Sequence, residues 1–490
     1  MAFARRLEPL SYAVRLRALL KYLGYSTVAM ALLNFFPIVV ALAVSDWRFA
    51  ARLGAATALL GSISLATRKL AEPRQLQLNE AMCVIALTFI LGALVMAWPL
   101  TGHDVSYLDA LFEAVSGITT TGLTTLAAVS DRTPAFLFAR AYLQWIGGLG
   151  FVVFSVALLI IEPGYQARRL ALSGTESAQP LGSVHAHARR VLIAYLIITA
   201  AAVAALLLAG VRPFEAVLHA LAAVSTGGFS PLDQSLAGLA TAARWSVIAF
   251  CVAGAISLPL YLKVFGHNRR SLLQDVELRA FAGLAAFSVL MVTTLLVLES
   301  GRPLGIALQD GPLLALSALT TAGFSTPSPA QLGAGSVLAL MALMTVGGCV
   351  GSTAGGIKVL RVVIIARVML LALARTRLPT HAVVTPSLGS ETLEPDEVQR
   401  ALMLAVAFVV TGTLSWFAFL VAGHDPLASL FDVVSALGTV GLSAGVVSAD
   451  LGTALKWLLC LDMLVGRLEF IAIAVLLWPR TWIGRRNQSL

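Results

Sequence analysis

The sequence has few charged side chains. Of its 490 residues only 12% are Asp, Glu, Lys or Arg, whereas 58% are hydrophobic and the mean hydropathy is +0.88. A soluble protein of this length needs more charge to cover its surface. The composition therefore excludes a soluble protein and predicts an integral membrane protein.

Paired cysteines and nucleotide-binding motifs are also missing. The four cysteines lie singly in apolar stretches, so we expect neither a disulfide framework nor a zinc site. Residues 351–358 do not match the phosphate-loop pattern, and residues 147–150 are not a dinucleotide fingerprint. A hydrolase using Ser352 is disfavoured because no histidine lies in a nearby apolar run to activate it. We expect no cofactor in this chain, no catalytic residue and no enzymatic activity.

Long apolar runs are abundant. Each is close to the ~20 residues that cross a bilayer as a helix. They lie at 24–45, 49–67, 80–100, 135–161, 191–210, 244–265, 279–298, 335–370, 401–422 and 453–478. Because the runs are continuously apolar rather than alternating, they predict an all-α membrane protein with about ten crossings.

The positive charges are segregated along the chain. Although 34 Lys and Arg against 25 Asp and Glu give a net charge of +9, most of the basic residues fall in alternate loops. The positive-inside rule places those loops, and both termini, in the cytoplasm. Topology therefore explains the charge, and we expect membrane lipid rather than nucleic acid as its partner.

Four stretches of the chain align without a gap. Each ends in Thr-x-Gly and lies between two long apolar runs. They are FEAVSGITTTGLT from Phe112, LHALAAVSTGGFS from Leu218, LLALSALTTAGFS from Leu313 and FDVVSALGTVGLS from Phe431. The apolar residues before each motif are long enough for about two helical turns but too few to span a membrane.

This repetition predicts four parallel repeats, each a helix, a re-entrant pore helix and a second helix, around a pseudo-fourfold pore. A two-helix hairpin precedes them. The predicted boundaries are 1–77 for an N-terminal amphipathic segment and the hairpin, 78–167 for repeat 1, 189–266 for repeat 2, 277–375 for repeat 3 with an intramembrane loop at 347–356, and 396–482 for repeat 4.

The Thr-x-Gly motifs suit an ion filter. Backbone carbonyls can replace the water shell of a cation where the chain is extended, and glycine permits the necessary backbone. One such motif alone is more often a turn or a packing site. Four such motifs at equivalent positions between apolar runs favour a filter. The candidate residues are Thr120, Thr121, Gly122, Thr226, Gly227, Gly228, Thr321, Ala322, Gly323, Thr439, Val440 and Gly441.

A glycine-rich run interrupts the apolar stretch after the third motif. A helix should break there, which suggests a gate, although close helix packing is an alternative reason for the glycines. Arg467 lies within the last span near Asp462 and Glu469, either as a barrier on the pore axis or as a clasp with Glu469. The gate candidates are Gly347, Gly348, Gly351, Ser352, Thr353, Gly355, Gly356 and Arg467.

The four motifs resemble the filter segments of the Trk/Ktr/HKT superfamily of potassium and sodium translocating proteins. GGCVGSTAGGIKVLR from Gly347, MLVGRLEF from Met463 and the N-terminal hairpin are most similar to the bacterial Trk membrane subunit. The resemblance implies potassium uptake across the bacterial inner membrane, a homodimer, and a gate formed by the glycine-rich loop with the arginine. It also implies a separate cytosolic regulatory subunit of the TrkA type that binds NAD(H) or ATP.

Carried onto this sequence, the resemblance assigns the ion-binding carbonyls to the two residues before each motif glycine. Plant-type relatives that prefer sodium carry serine at the position of Gly122, so glycine here favours potassium. An alternative is a symporter that couples potassium to protons or sodium, with Asp462 or Glu469 as the relay.

Overall fold

Most of the described chain is helical. The computed structural model describes residues 13–71, 76–101, 105–161, 180–264, 274–326, 328–379, 385–389 and 391–483. One short antiparallel pair, β1 (Ser387–Leu388) with β2 (Glu391–Thr392), pairs Ser387 with Thr392 and Leu388 with Glu391. The predicted residues 1–12 of the N-terminal segment, 162–167 of repeat 1 and 265–266 of repeat 2 lie outside the described residues.

The helices are numbered here in chain order. They are α1 (Leu16–Leu33), α2 (Phe35–Ala43), α3 (Trp47–Thr67), α4 (Leu78–Leu100), α5 (Tyr107–Ile118), α6 (Pro134–Ile161), α7 (Pro180–Leu208), α8 (Pro213–Val224), α9 (Thr241–Ala255), α10 (Leu258–Val264), α11 (Val276–Leu298), α12 (Leu304–Leu319), α13 (Ala334–Val346), α14 (Val359–Arg375), α15 (Pro395–Val421), α16 (Pro426–Leu437), α17 (Thr453–Arg467) and α18 (Ile471–Leu477).

The chain divides into two compact units, the first of which contains residues 1–115, 132–139 and 468–490. Within it α3 packs against α1 and α2, and α4 packs against α1, α3 and α18. Arg15 joins the start of α1 to the start of α4, with its Nε 2.8 Å from Glu80 Oε1 and its Nη2 2.9 Å from Glu80 Oε2. This bidentate ion pair holds the N-terminal hairpin helices against α4.

The second unit contains residues 116–131 and 140–467, and one packing pattern recurs in it three times. A long helix, a short helix and a following helix pack pairwise in the groups α7, α8, α9, then α11, α12, α13, then α15, α16, α17. The last helix of one group also contacts the short helix of the next, α9 with α12 and α13 with α16. Similar apolar sequences thus bury similar faces in chain order.

Seven helical stretches of the described chain are long and apolar enough to cross a membrane. They are Leu16–Ala43, Trp47–Thr67, Leu78–Leu100, Pro134–Phe154, Ala188–Leu208, Val276–Leu298 and Pro395–Val421. Long helices also expose large apolar side chains, such as Leu290 on α11 and Leu414 on α15, as expected for surfaces that face lipid.

The other three predicted spans are each divided between two helices. The break between α13 and α14 is confirmed, and Gly347 ends α13 with a φ of 74°. The helix is also interrupted within 244–265 and within 453–478, where the apolar runs alone did not indicate a break. The first breaks where Pro259 follows an extended Ile256, because proline has no N–H to continue a helix. The second breaks at Glu469 and Phe470, which have φ of 54° and 59°.

Candidate functional site

Each Thr-x-Gly segment leaves a short apolar helix through the same backbone turn. The preceding helices α5, α8, α12 and α16 have 12, 12, 16 and 12 residues, longer than the predicted two turns. The motif glycines have positive φ, as predicted: Gly122 91°, Gly228 80°, Gly323 72° and Gly441 97°. The motif threonines also have positive φ: Thr120 55°, Thr226 50°, Thr321 54° and Thr439 49°. Left-handed backbone costs a non-glycine residue about 1–2 kcal/mol, so the surrounding structure must hold each turn.

Backbone hydrogen bonds hold these turns. In every segment the N–H of the middle residue donates back into the short helix. The bonds are Thr121 N to Ser116 O (2.8 Å), Gly227 N to Ala222 O (2.8 Å), Ala322 N to Ser317 O (2.9 Å) and Val440 N to Ser435 O (2.9 Å). Serine hydroxyls on the same helices accept from Gly122 N and Gly441 N, both at 3.0 Å. This pattern satisfies carbonyls that a helix end leaves free.

The four segments lie side by side in a closed ring, which we call the Thr-x-Gly ring. A side chain built on any motif glycine would overlap a carbonyl oxygen of the next segment. The pairs are Gly122 with Gly227 O, Gly228 with Ala322 O, Gly323 with Val440 O, and Gly441 with Thr121 O. The last pair returns to the first segment. Glycine is therefore required at these four positions for close backbone approach.

The chemistry of the ring is that of backbone oxygens and hydroxyls. Its twelve predicted residues include no ionisable side chain, and its threonines are buried. Such a set of dipoles can replace the water around a monovalent cation without binding it as tightly as carboxylates do. The structure brings the predicted filter residues together; their role in binding an ion stays a prediction.

A cavity of about 570 Å³ opens on the glycine side of the ring. Its lining includes the four motif glycines, several hydroxyl side chains, Arg140 and Asp233. Arg140 on α6 lies with its Cζ 3.9 Å from the centre of the Phe229 ring. It therefore packs on the second segment through a cation–π contact.

Asp233 joins the loops that follow the first and second segments. Its carboxylate accepts hydrogen bonds from Val129 N at 2.6 Å, Ser130 N at 3.2 Å and the Ser130 hydroxyl. Burial is the largest influence and raises the pKa of Asp233, but the hydrogen bonds together outweigh it and lower the pKa below its ordinary value. Asp233 thus acts in its charged form as a clasp at the cavity.

Two short helices carry polar side chains that support the ring. Asp432 on α16 accepts from Ser443 Oγ at 2.8 Å, Ala444 N at 2.6 Å and Val447 N at 2.8 Å. At the aligned position on α8, His219 places Nδ1 2.8 Å from Glu215 O and Nε2 3.3 Å from Ser230 Oγ. Through these contacts each side chain holds the loop that follows its own ring segment.

Residues 347–358, which we call the glycine loop, contact three of the four ring segments. Gly355 N donates to Thr321 Oγ1 at 2.7 Å, and the hydroxyls of Thr353 and Thr226 lie 3.3 Å apart. A side chain on Gly355 would overlap Thr439 Oγ1. The positive φ of Gly347 (74°), Gly351 (74°) and Gly356 (73°) turns the loop back on itself. Ser352 gives its hydroxyl hydrogen to Cys349 O.

Two buried cations hold the glycine loop. Arg467 Nη1 donates to Thr353 O at 2.8 Å, and Lys358 Nζ donates to Ala354 O. Phe151 on α6 lies beside both: its ring centre is 4.2 Å from Arg467 Cζ and 5.3 Å from Lys358 Nζ. The structure therefore places Arg467 against the predicted gate loop, the pairing that the family resemblance implies, and adds a second cation.

Sequence reasoning missed Lys358, Phe151 and Gln144 as parts of this site. Lys358 could have been recognised from the sequence, because a lysine inside an apolar stretch needs buried partners. Gln144 gave a weaker signal as an amide within the span of α6. Phe151 gave none, because a phenylalanine in a membrane helix is ordinary.

Comparison with known proteins gives consistent matches along the chain. A family model described as a cation transport protein, TrkH, matches residues 48–481. The Trk system potassium uptake protein TrkH of Salmonella typhimurium is 30% identical over 424 residues, covering 84% of this chain and 87% of that protein. The TrkH of Halomonas elongata is 30% identical over 485 residues, covering 95% and 99%. The crystal structure of the potassium transporter TrkH from Vibrio parahaemolyticus is similar with a TM-score of 0.85 at 26% identity, covering 96% of this chain and 100% of that one.

Proposed function

The chain belongs to the TrkH family of cation transport proteins, and on that premise we propose that it mediates potassium uptake through the Thr-x-Gly ring. The observation that carries the proposal is the cyclic contact of the four motif glycines with the carbonyls of the next segment. The relatives described above are named as potassium uptake proteins. Backbone carbonyl oxygens from the four segments would supply the ligands that a dehydrated potassium ion needs.

We further propose that the glycine loop and Arg467 close this path on one side of the ring. The loop contacts three ring segments, and Arg467 brings a buried positive charge to the loop carbonyl of Thr353. A fixed positive charge opposes the passage of a cation in a low-dielectric site. Opening then requires that the loop leave the threonines and that Arg467 leave the path.

The wider setting follows from the same premise. We propose a multi-pass protein of the bacterial inner membrane with both termini in the cytoplasm, assembled as a homodimer and surrounded by lipid. A separate cytosolic regulatory subunit that binds NAD(H) or ATP would control the loop, and this chain itself would need no cofactor. The segregated Lys and Arg residues support the orientation.

A symporter coupled to protons or sodium is the second candidate, favoured by Asp462. This buried carboxylate accepts from Ser415 Oγ at 2.8 Å through one oxygen, while its Oδ2 has no hydrogen-bond partner among the described residues. A carboxylate with a free buried oxygen is suited to take up a proton or a small cation. Reversal potentials measured at fixed potassium gradients distinguish the symporter from the uncoupled pore. A shift of the reversal potential with pH or sodium supports coupling.

Growth of a potassium-uptake-deficient bacterium in low potassium tests the main proposal. We expect the chain to restore growth, and the purified protein in liposomes to carry potassium down its gradient. Gly122→Arg, which fills the ring with a long side chain, provides the negative control at equal membrane expression. Failure of the unaltered chain to carry potassium in both assays would refute the proposal.

A further inference from the structure

Gln144 joins helix α6 of the first repeat to the ring segment of the second. The side chain is fully buried. Its Nε2 donates to the carbonyl oxygen of Gly227 at 2.5 Å, and its Oε1 accepts from Phe229 N at 3.1 Å. Because Phe229 N–H needs an acceptor and Gly227 O needs a donor, the two bonds fix the orientation of the amide. One carboxamide thus holds the backbone on both sides of Gly228.

The equivalent helices of two other repeats have an apolar residue at this position. Gly147, Gly254 and Gly466 each lie against the carbonyl of the residue that ends the adjacent short helix, namely Ile118, Val224 and Leu437. These contacts identify equivalent positions on α6, α9 and α17. The residues three positions earlier are Gln144, Cys251 and Met463. Gln144 therefore differs from the residues at the equivalent positions of the second and fourth repeats, which are Cys251 and Met463.

Gly227 leaves the space that the Gln144 side chain occupies. The middle residue of the motif is Thr121, Ala322 or Val440 in the other segments, but glycine in the second. A side chain at Gly227 would overlap the Cδ and Oε1 atoms of Gln144. The second segment thus lacks a side chain where the amide enters. This pairing shows a built contact rather than incidental packing.

We propose that Gln144 is a positioning residue that sets the ion selectivity of the ring by restraining the Gly227 carbonyl. This inference rests on the proposed function. To bind an ion smaller than potassium, ring carbonyls must move inward, and the amide opposes that movement for Gly227 O. The same oxygen lies against Gly122, so the restraint extends to the first segment. Gln144 acts through Gly227 and does not itself touch the ion.

The test compares permeability to potassium and sodium in liposomes for the full chain and for Gln144→Met, which copies the apolar residue of α17. We expect the potassium/sodium permeability ratio to fall about three- to tenfold, the factor that corresponds to one hydrogen bond, while potassium flux persists. Gln144→Leu is the second variant. Gln399→Met, at an exposed position on α15, is the matched control and should leave the ratio unchanged.

The outcomes separate the two proposals. If the unaltered chain carries no potassium, the proposed function fails. If the unaltered chain is selective and either Gln144 variant reaches the membrane with an unchanged ratio, the role of Gln144 is overturned. A lower melting temperature with an unchanged permeability ratio would identify Gln144 as a purely structural residue and would also overturn its proposed role. A lower ratio at an unchanged melting temperature supports the inference.

Discussion

Gly355 N donates a 2.7 Å hydrogen bond to the side-chain oxygen of Thr321. Gly355 belongs to the glycine loop and Thr321 to the ring. The interrupted helix of the third repeat therefore touches the candidate filter directly rather than through intervening helices. Any displacement of the loop must break this bond, which couples the state of the loop to the ring.

Replacing Thr321 by valine should loosen the loop. The change removes the acceptor for Gly355 N–H, and an unsatisfied buried donor costs about 1–3 kcal/mol. We expect a higher potassium flux in liposomes without any regulatory subunit. Thr120→Val is the comparison, because the Thr120 hydroxyl has no hydrogen-bond partner among the described residues. An equal increase in both variants would contradict a specific role of the Gly355–Thr321 bond.

Gly122→Ser should lower the preference for potassium over sodium. The new side chain would overlap the carbonyl oxygen of Gly227, and the φ of 91° adds backbone strain. Reversal potentials under mixed potassium and sodium gradients measure the ratio. Gly210→Ser is the matched control, because Gly210 has a φ of 82° but open space around it. An unchanged ratio for Gly122→Ser would remove this glycine from the filter.

Arg467→Ala should raise the flux of the isolated chain. It deletes the buried charge and the hydrogen bond to Thr353 O. We expect rubidium uptake by liposomes to rise about tenfold, because lowering the barrier by about 1.4 kcal/mol makes passage about tenfold faster. Arg367→Ala on α14, outside the glycine loop, controls for loss of a positive charge. Flux equal to that of the unaltered chain would assign Arg467 a structural role.

Phe151→Leu should have a similar but smaller effect. The aromatic ring attracts both Arg467 and Lys358, and cation–π contacts at desolvated sites contribute about 2 kcal/mol. Leucine keeps an apolar contact but lacks the electron-rich face. Phe287→Leu, at an exposed position on α11, is the control. Rubidium uptake that matches the control in the absence of a regulatory subunit would speak against the aromatic contact.

Asp233 should make thermal stability depend on pH. Its folded-state pKa is lowered, so its carboxylate stabilises the fold above the ordinary pKa of about 4, and this contribution is lost as the pH falls through the lowered value. Asp233→Asn should therefore melt lower than the unaltered chain at pH 7 in detergent, with the gap closing toward pH 3. Asp450→Asn, at an exposed position, is the control. A gap that stays constant with pH would exclude the charge as the cause.

The sequence predicted the turns at the four motif glycines and the break at Gly347, because glycine is the residue type that readily adopts positive φ. It did not predict the left-handed threonines, since their conformation is imposed by neighbouring segments and leaves no compositional signal. The breaks at Ile256 and at Glu469 were missed because hydropathy reports burial in the membrane and not helix continuity. Gln144 could be noticed as an amide in an apolar span, but its partner Gly227 belongs to another repeat, and only the folded chain brings the two together.

The ring is built from one polypeptide, and its four middle residues are Thr121, Gly227, Ala322 and Val440. In an assembly of four identical subunits, a single codon change alters every quarter of the pore at once. Here each quarter can change alone, so that evolution can adjust ion preference in small steps and can place a support such as Gln144 on one side only.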